Sequence, residues 1–209
     1  MKRTDSRIKR LIANREASFE WHRTSHEVVK YQPRYYNKEG FYEKDEWTSM
    51  WDIGNTIGDQ LVTKEMYLTV ENQYADVALD IMKTSGCRLM TIVFDGGIIE
   101  PVLPELIKES PLGREDADLY LSLFGLESGS RVPLEKSTDI LRLALREWKN
   151  CTLINLSHDV LIDVGYDFYM HVHSCLSKDC LRRIVESHHL YFNPRSPRSP
   201  TAISVLCNG

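Results

Sequence analysis

The sequence lacks long apolar runs, has few cysteines and carries none of the short motifs of common enzyme classes. A membrane span needs about 18 or more consecutive apolar residues, and no window of the 209 residues approaches that length. The N-terminus is basic, but no apolar stretch follows it, so an export signal is not expected. The five cysteines are odd in number and widely spaced, which is typical of reduced thiols. We therefore expect a soluble cytoplasmic protein that does not bind a membrane.

Motifs for nucleotide binding or nucleophilic catalysis are also missing. There is no Walker loop, and Asp95-Gly-Gly97 has too few glycines for a dinucleotide fingerprint. Ser128 and Ser130 do not lie in a G-x-S-x-G elbow. The sequence therefore predicts a protein that is not an enzyme and needs no cofactor.

A zinc site is the strongest enzyme-like alternative. If residues 166–173 form a strand, His171 and His173 share one face with alpha carbons about 7 Å apart, and two imidazoles could converge on one zinc. Cys175 and Cys180 are near in sequence, but they fall across a strand-to-helix transition. We favour paired surface histidines without metal, and keep a zinc-dependent hydrolase that uses the His171/His173 face as the alternative function.

The net charge of −4 hides a marked asymmetry along the chain. Residues 1–37 carry nine basic against four acidic side chains, whereas residues 38–80 carry three against ten. An acidic body argues against nucleic acid as the partner, because phosphate binding needs the opposite charge. It suits a basic protein partner, through long-range steering of the encounter. A solvated acidic surface that only maintains solubility is the alternative interpretation.

Periodicity predicts an α+β fold, in which a small, mostly antiparallel sheet is covered by helices, one of them long and central. The long helix is expected between a Thr63 cap and Gly86, and a second between Ser137 or Thr138 and Asn150. A third helix should start at Ser177. Further short helices are predicted at 103–110 and 115–125, strands at 87–94, 152–156 and 160–164, and a loop at 126–134.

The segment Gly165–His173 is predicted to be the last strand. Side chains on a strand alternate between faces, which would place Tyr166, Phe168, Met170 and Val172 toward the core. Asp167, Tyr169, His171 and His173 would then form the opposite, polar aromatic face.

We predict three parts along the chain. Residues 1–30 form a basic helical extension, with a thin apolar stripe over residues 5–30. Residues 31–193 form a single α+β domain, and residues 194–209 form an extended basic tail rich in proline. The aromatic-rich segment 31–51 is expected to be ordered but irregular, and a homodimer through this segment is possible beside a monomer.

Three blocks resemble bacterial immunity proteins of polymorphic-toxin and contact-dependent growth inhibition systems. They are Phe41–Gly54, which contains Glu46-Trp-Thr-Ser49 and Asp52-Ile-Gly54, the helical block Tyr67–Tyr74, and Asp163–Val172, which contains Gly165-Tyr-Asp-Phe-Tyr-Met170. Their order covers roughly residues 31–193.

The resemblance implies a binding function without catalysis. The protein would bind the C-terminal domain of a cognate toxin in the cytoplasm, possibly a nuclease with a basic cleft, and block its active site. An acidic inhibitor is chemically suited to such a cleft. The expected contact residues are the acidic and aromatic positions predicted to be exposed: Glu43, Asp45, Glu46, Asp52, Glu71, Asp163, Asp167 and Tyr169.

Overall fold

The computed structural model describes residues 25–94 and 104–194. Within them the strands are β1 (His26–Val29), β2 (Thr56–Ile57), β3 (Gln60–Leu61), β4 (Leu89–Phe94), β5 (Arg131–Pro133), β6 (Cys151–Asn155), β7 (Val160–Val164), β8 (Met170–His173) and β9 (Tyr191–Phe192). The helices are α1 (Lys64–Thr84), α2 (Pro104–Glu109), α3 (Arg114–Leu123), α4 (Leu134–Leu145) and α5 (Lys178–Ser187).

Seven of these strands form one antiparallel sheet in the order β5-β4-β6-β7-β8-β1-β9, and β2 pairs with β3 in a separate hairpin. The register aligns four fully buried residues across the middle of the sheet: Ile92, Leu153, Ile162 and Val172. They face a single core that also contains buried side chains of α1, α4 and α5. The predicted α+β class with a mostly antiparallel sheet and a long helix is confirmed. No helix in the described ranges is long and apolar enough to cross a membrane.

The long helix α1 forms as the periodicity predicts. The Thr63 hydroxyl accepts from the backbone N–H of Met66 at 3.2 Å, which caps the first turn. Tyr67, Tyr74 and Ile81 are fully buried along one face. Gly86, with φ of 80°, lies just beyond the end of the helix in the left-handed region that glycine adopts easily.

The prediction of a helix over residues 5–30 is wrong where the structure can test it. Residues 26–29 form β1, which pairs with β8 on one side and with β9 on the other. The β-branched Val28 and Val29 suit this doubly paired, fully buried position. The sheet therefore includes residues that the predicted boundary at 30/31 assigned to an extension. Residues 1–24, and the tail beyond residue 194, lie outside the described residues.

The predicted start and end of the second helix are also wrong. Helix α4 begins at Leu134, after Pro133, and ends at Leu145. Ser137 and Thr138 do not cap it, because their hydroxyls donate back to the carbonyl oxygens of Pro133 and Glu135 inside the first turns. The short strand β5 lies in the segment predicted to be loop.

The last predicted strand is only half present. Strand β8 begins at Met170, and the residues before it form a turn in which Asp167 and Phe168 have positive φ of 56° and 59°. The alternation of faces therefore does not apply to that part. Tyr166 is 74% exposed instead of facing the core, whereas Phe168, Met170 and Val172 are buried as predicted.

A buried ionic cluster links three helices. Glu71 on α1 is 1% exposed and forms a two-pronged ion pair with Arg146, at 2.6 Å to Nε and 2.8 Å to Nη2. Arg146 Nη1 also lies 3.3 Å from Asp116 on α3, which accepts from Ser110 and Trp148. Burial disfavours the guanidinium cation, but the hydrogen bonds and charge of Glu71 outweigh it and raise the pKa of Arg146. The prediction that Glu71 lies on the surface for a partner to contact is therefore wrong.

Replacing Glu71 with alanine should strongly destabilise the protein. The change leaves the Arg146 cation buried with only Asp116 as an acidic partner, and breaking a buried pair in this way costs about 3 to 5 kcal/mol. The free energy of unfolding, measured by urea denaturation, is the test. Asp76→Ala, at an exposed position of the same helix, is the control and should change it by less than about 0.5 kcal/mol. An equally small effect of Glu71→Ala would contradict the structural role of the cluster.

Candidate functional site

Two segments that are distant in the sequence meet at one surface. One is residues 41–62, and the other is the turn at residues 165–169. Their contact is edge to face: the Trp47 and Phe168 rings lie 5.2 Å apart between centroids, and both also pack on Tyr67 of α1. We call the partly or fully exposed acidic and aromatic residues of these two segments, together with Glu147, the acidic aromatic surface: Phe41, Tyr42, Glu43, Asp45, Glu46, Trp51, Asp52, Asp59, Glu147, Tyr166, Asp167 and Tyr169.

Local hydrogen bonds fix the first segment. The Ser49 hydroxyl accepts from the N–H of Trp51 at 3.1 Å, and Asp52 Oδ2 accepts from the N–H groups of Thr48 and Ser49. This capping box ends the preceding extended chain and starts a single helical turn at Met50–Asp52. Asp52 therefore has a structural role, and it remains partly exposed as well.

A cavity of about 550 Å³ lies between this segment and the β2–β3 hairpin. Trp47, Ile57 and Val62 supply apolar walls, and its polar lining includes the carboxylates of Asp45, Glu46 and Asp59, with Lys44 among them. Apolar walls with a few charged groups are the composition of sites that bind ligands or a partner's side chains.

Large apolar side chains are exposed in the same segments. Phe41, Trp51 and Leu61 are exposed in residues 41–62, and Tyr166 is exposed in the turn. Trp51 lies against Trp148, with ring centroids 6.2 Å apart, so its position is fixed. Grouped exposed apolar side chains on a folded protein mark interaction surfaces more often than isolated ones do.

Carboxylates from three parts of the chain come together beside these rings. Glu147, which follows α4, lies close enough to Asp167 and Asp52 for their charges to act on it. Burial raises the pKa of Glu147, and these two neighbouring negative charges raise it further. The Ser49 hydroxyl, which hydrogen-bonds to Glu147, opposes the rise. Three carboxylates from different parts of the chain are therefore neighbours at this surface.

Lys30 is buried beneath the same surface. Its ammonium lies 3.6 Å from the centroid of the Trp47 ring and 3.3 Å from Glu46 Oε1, with only 6% of the side chain exposed. Burial lowers the pKa of Lys30 to about 8, although the charge of Glu46 acts in the opposite direction. The ammonium therefore links the end of β1 to Trp47 and Glu46, although removing this charge from water costs free energy.

Tyrosines form the other border of the surface. Tyr31 is buried, and its ring centroid lies 5.0 Å from that of Tyr42 and 5.6 Å from that of Tyr169. Burial raises the pKa of Tyr31 and of Tyr36, so both hydroxyls stay protonated near neutral pH. The Tyr31 hydroxyl donates a hydrogen bond to the carbonyl oxygen of Asp167 at 2.7 Å.

Most of the predicted contact residues meet at this surface. Glu43, Asp45 and Asp167 are exposed, whereas Glu46, Asp52 and Tyr169 are partly exposed. Asp163 instead lies on the sheet face opposite the helices, where it accepts from the Thr152 hydroxyl and stands across from His171 in register. Sequence reasoning missed Tyr166, Glu147 and Asp59. A turn signal in Gly165-Tyr-Asp could have found Tyr166, since aspartate tolerates positive φ.

The two histidines share a sheet face, as predicted, but each has its own carboxylate partner. His171 Nε2 lies 3.7 Å from Glu27 Oε1, and His173 Nε2 lies 3.3 Å from Asp159 Oδ2. Cys175 and Cys180 are free thiols. In residues 25–94 and 104–194, no group of three or more His, Cys, Asp or Glu side chains is placed to hold a metal ion. The geometry therefore gives the zinc alternative no support from these residues.

Comparison with models of protein families, with curated proteins and with solved structures found no match to this chain.

The ammonium of Lys30 should make stability depend on pH. Its pKa of about 8 in the folded protein is below the ordinary value of 10.5, so the folded state binds fewer protons between these values. Below about pH 8 the buried ammonium lowers the free energy of unfolding, and this penalty should disappear as the pH rises from about 8 to 10.5. Lys30→Met should remove the penalty and stabilise the protein at pH 7 by roughly 1 to 3 kcal/mol.

The difference between wild type and Lys30→Met, measured by urea denaturation from pH 6 to 10, isolates this group from others that titrate. Lys44→Met is the matched control, because half of the Lys44 side chain is exposed beside the same Glu46. It should change stability by less than about 0.5 kcal/mol at every pH. A difference for Lys30→Met that stays constant with pH would show that the ammonium is not disfavoured by burial.

Proposed function

We propose that this chain is an immunity protein, which binds the C-terminal domain of a cognate toxin in the cytoplasm and neutralises it one to one. The observation that carries the proposal is the acidic aromatic surface, which has carboxylates at a cavity of about 550 Å³ and exposed rings in the same two segments. This arrangement agrees with the resemblance of the same segments to immunity proteins of polymorphic-toxin and contact-dependent growth inhibition systems.

The charge of the surface supports a basic partner. Asp45 and Asp59 are exposed and line the cavity, and Asp52, Glu147 and Asp167 form a second group of neighbouring carboxylates. Complementary charge accelerates the encounter of two proteins and disfavours partners of the wrong sign. A nuclease has a basic cleft for phosphates, so such a toxin domain would meet this surface with the right charge.

The rigidity of the surface supports tight binding. The capping box of Ser49 and Asp52 fixes one segment, and the Trp47–Phe168 contact fixes the two segments to each other. A surface that is ordered before binding loses little conformational entropy when the complex forms. Exposed Trp and Tyr side chains are the residue types that most often contribute large shares of interface energy.

The test is neutralisation of the toxin domain encoded by the gene next to that of this chain. Wild-type protein should protect cells that express this domain and should form a one-to-one complex with an inactive form of it. The double variant Asp45→Lys/Asp59→Lys should lower the association rate by about 10-fold or more at low salt, because it reverses charge at the cavity. Surface plasmon resonance at two salt concentrations measures the effect.

Asp76→Lys/Glu127→Lys is the matched control, since it also reverses two charges, at exposed positions outside this surface. It should leave the association rate within about 2-fold of wild type. Wild-type protein that neither binds nor protects would overturn the proposed function. Equal rates for the cavity double variant and wild type at low salt would show that the toxin domain binds elsewhere.

A further inference from the structure

The turn between β7 and β8 has an unusual sequence for its conformation. The N–H of Tyr169 donates to the carbonyl oxygen of Tyr166 at 3.1 Å, which closes a four-residue turn with Asp167 and Phe168 at its centre. Both central residues have positive φ, as in the type I′ turns that fit the twist of a hairpin. Such turns favour Asn-Gly or Asp-Gly, whereas a phenylalanine rarely adopts this conformation.

The surrounding core holds this turn in place. The Phe168 ring is 3% exposed and lies 5.2, 5.8 and 5.6 Å from the rings of Trp47, Tyr67 and Tyr74. The hydroxyl of Tyr74 donates to the carbonyl oxygen of Phe168 at 2.5 Å. The hydroxyl of Tyr31 donates to the carbonyl oxygen of Asp167 at 2.7 Å. Both residues with positive φ are thus fixed by a buried tyrosine.

The turn presents two side chains to solvent on this rigid base. Tyr166 is 74% exposed, the highest value among the exposed large hydrophobic side chains of the described residues, and Asp167 beside it is exposed as well. Glu147 lies close to Asp167 and adds negative charge. Local strain that the rest of a structure maintains often lies at functional sites, because it fixes a group that must meet a partner.

We propose that this turn is the part of the acidic aromatic surface that enters the active-site cleft of the toxin domain, with Tyr166 as its anchor. The inference rests on the proposed function and adds which segment enters the basic cleft of a nucleic-acid-processing domain and which groups of the nucleic acid its side chains imitate. The Tyr166 ring occupies the position of a nucleobase, because tyrosine rings and nucleobases both stack on aromatic side chains. The carboxylate of Asp167 takes the place of a phosphate opposite a Lys or Arg of the toxin.

Two single variants test this assignment. Tyr166→Ala removes the anchor without touching the core, and it should weaken binding of the inactive toxin domain by about 30-fold or more. Asp167→Asn removes the charge but keeps a residue that tolerates positive φ, and it should lower affinity by roughly 3- to 10-fold, mostly through the association rate. Isothermal titration calorimetry and surface plasmon resonance measure both, with the thermal midpoint as a check on folding.

The matched controls are Phe124→Ala and Asp76→Asn, which remove an exposed ring and an exposed carboxylate elsewhere. Both should bind within about 2-fold of wild type. A short oligonucleotide that the toxin domain binds should compete with wild-type protein, because both occupy the same cleft.

The outcomes separate the two proposals. If wild-type protein binds the toxin domain, but Tyr166→Ala and Asp167→Asn bind as tightly as the controls, the role of the turn is wrong and the immunity function stands. If the turn variants weaken binding but no oligonucleotide competes, the assignment to a nucleic-acid cleft is wrong. If wild-type protein does not bind at all, both proposals are overturned.

Discussion

The burial of Phe168 joins three parts of the fold that are far apart in the sequence. Its ring touches Trp47 in the irregular segment 41–62 and both Tyr67 and Tyr74 on α1. The free energy of burying a phenylalanine, about 1.5 to 3 kcal/mol, is comparable with the cost of holding it at positive φ. This contact, together with the packing of Tyr31 on Tyr42 and Tyr169, sets where the β7–β8 turn lies relative to the acidic segment.

Buried charge is the second constraint on the structure. Arg146 pairs with Glu71 and Asp116, which fixes α1 and α3 relative to the end of α4. Lys30 is held in a similar way against Glu46 and Trp47, but there burial outweighs its partners and lowers the pKa to about 8. Buried ionic groups contribute less to stability than apolar residues of the same size, and in some proteins they specify one arrangement over others. In this protein they lie under and beside the proposed binding surface.

The elements that could be predicted from the sequence are those whose signals are local. The Thr63 cap, the buried stripe of α1 and Gly86 predicted that helix to within two residues at each end.

The predictions failed where tertiary contacts determine the structure. His26–Val29 is a strand because β8 and β9 pair with it on both sides. Glu71 lies between Tyr67 and Tyr74 on the buried face of α1, but only the tertiary structure shows its partner there, Arg146 from a distant part of the chain. Six of the eight predicted contact residues lie on the acidic aromatic surface, because carboxylates in irregular segments are rarely buried.

The sequence alone determined the α+β class, the long helix, four of the nine described strands and the acidic character of residues 38–80, since periodicity, capping and charge are properties of neighbouring residues. Only the tertiary structure decided which acidic residues act together. It paired Glu71 with Arg146 in the core, placed Asp163 on the far face of the sheet, and brought Glu147 beside Asp52 and Asp167. It also exposed Tyr166 on a strained turn, because the packing of Phe168 overrides the local preference of the chain for an extended strand.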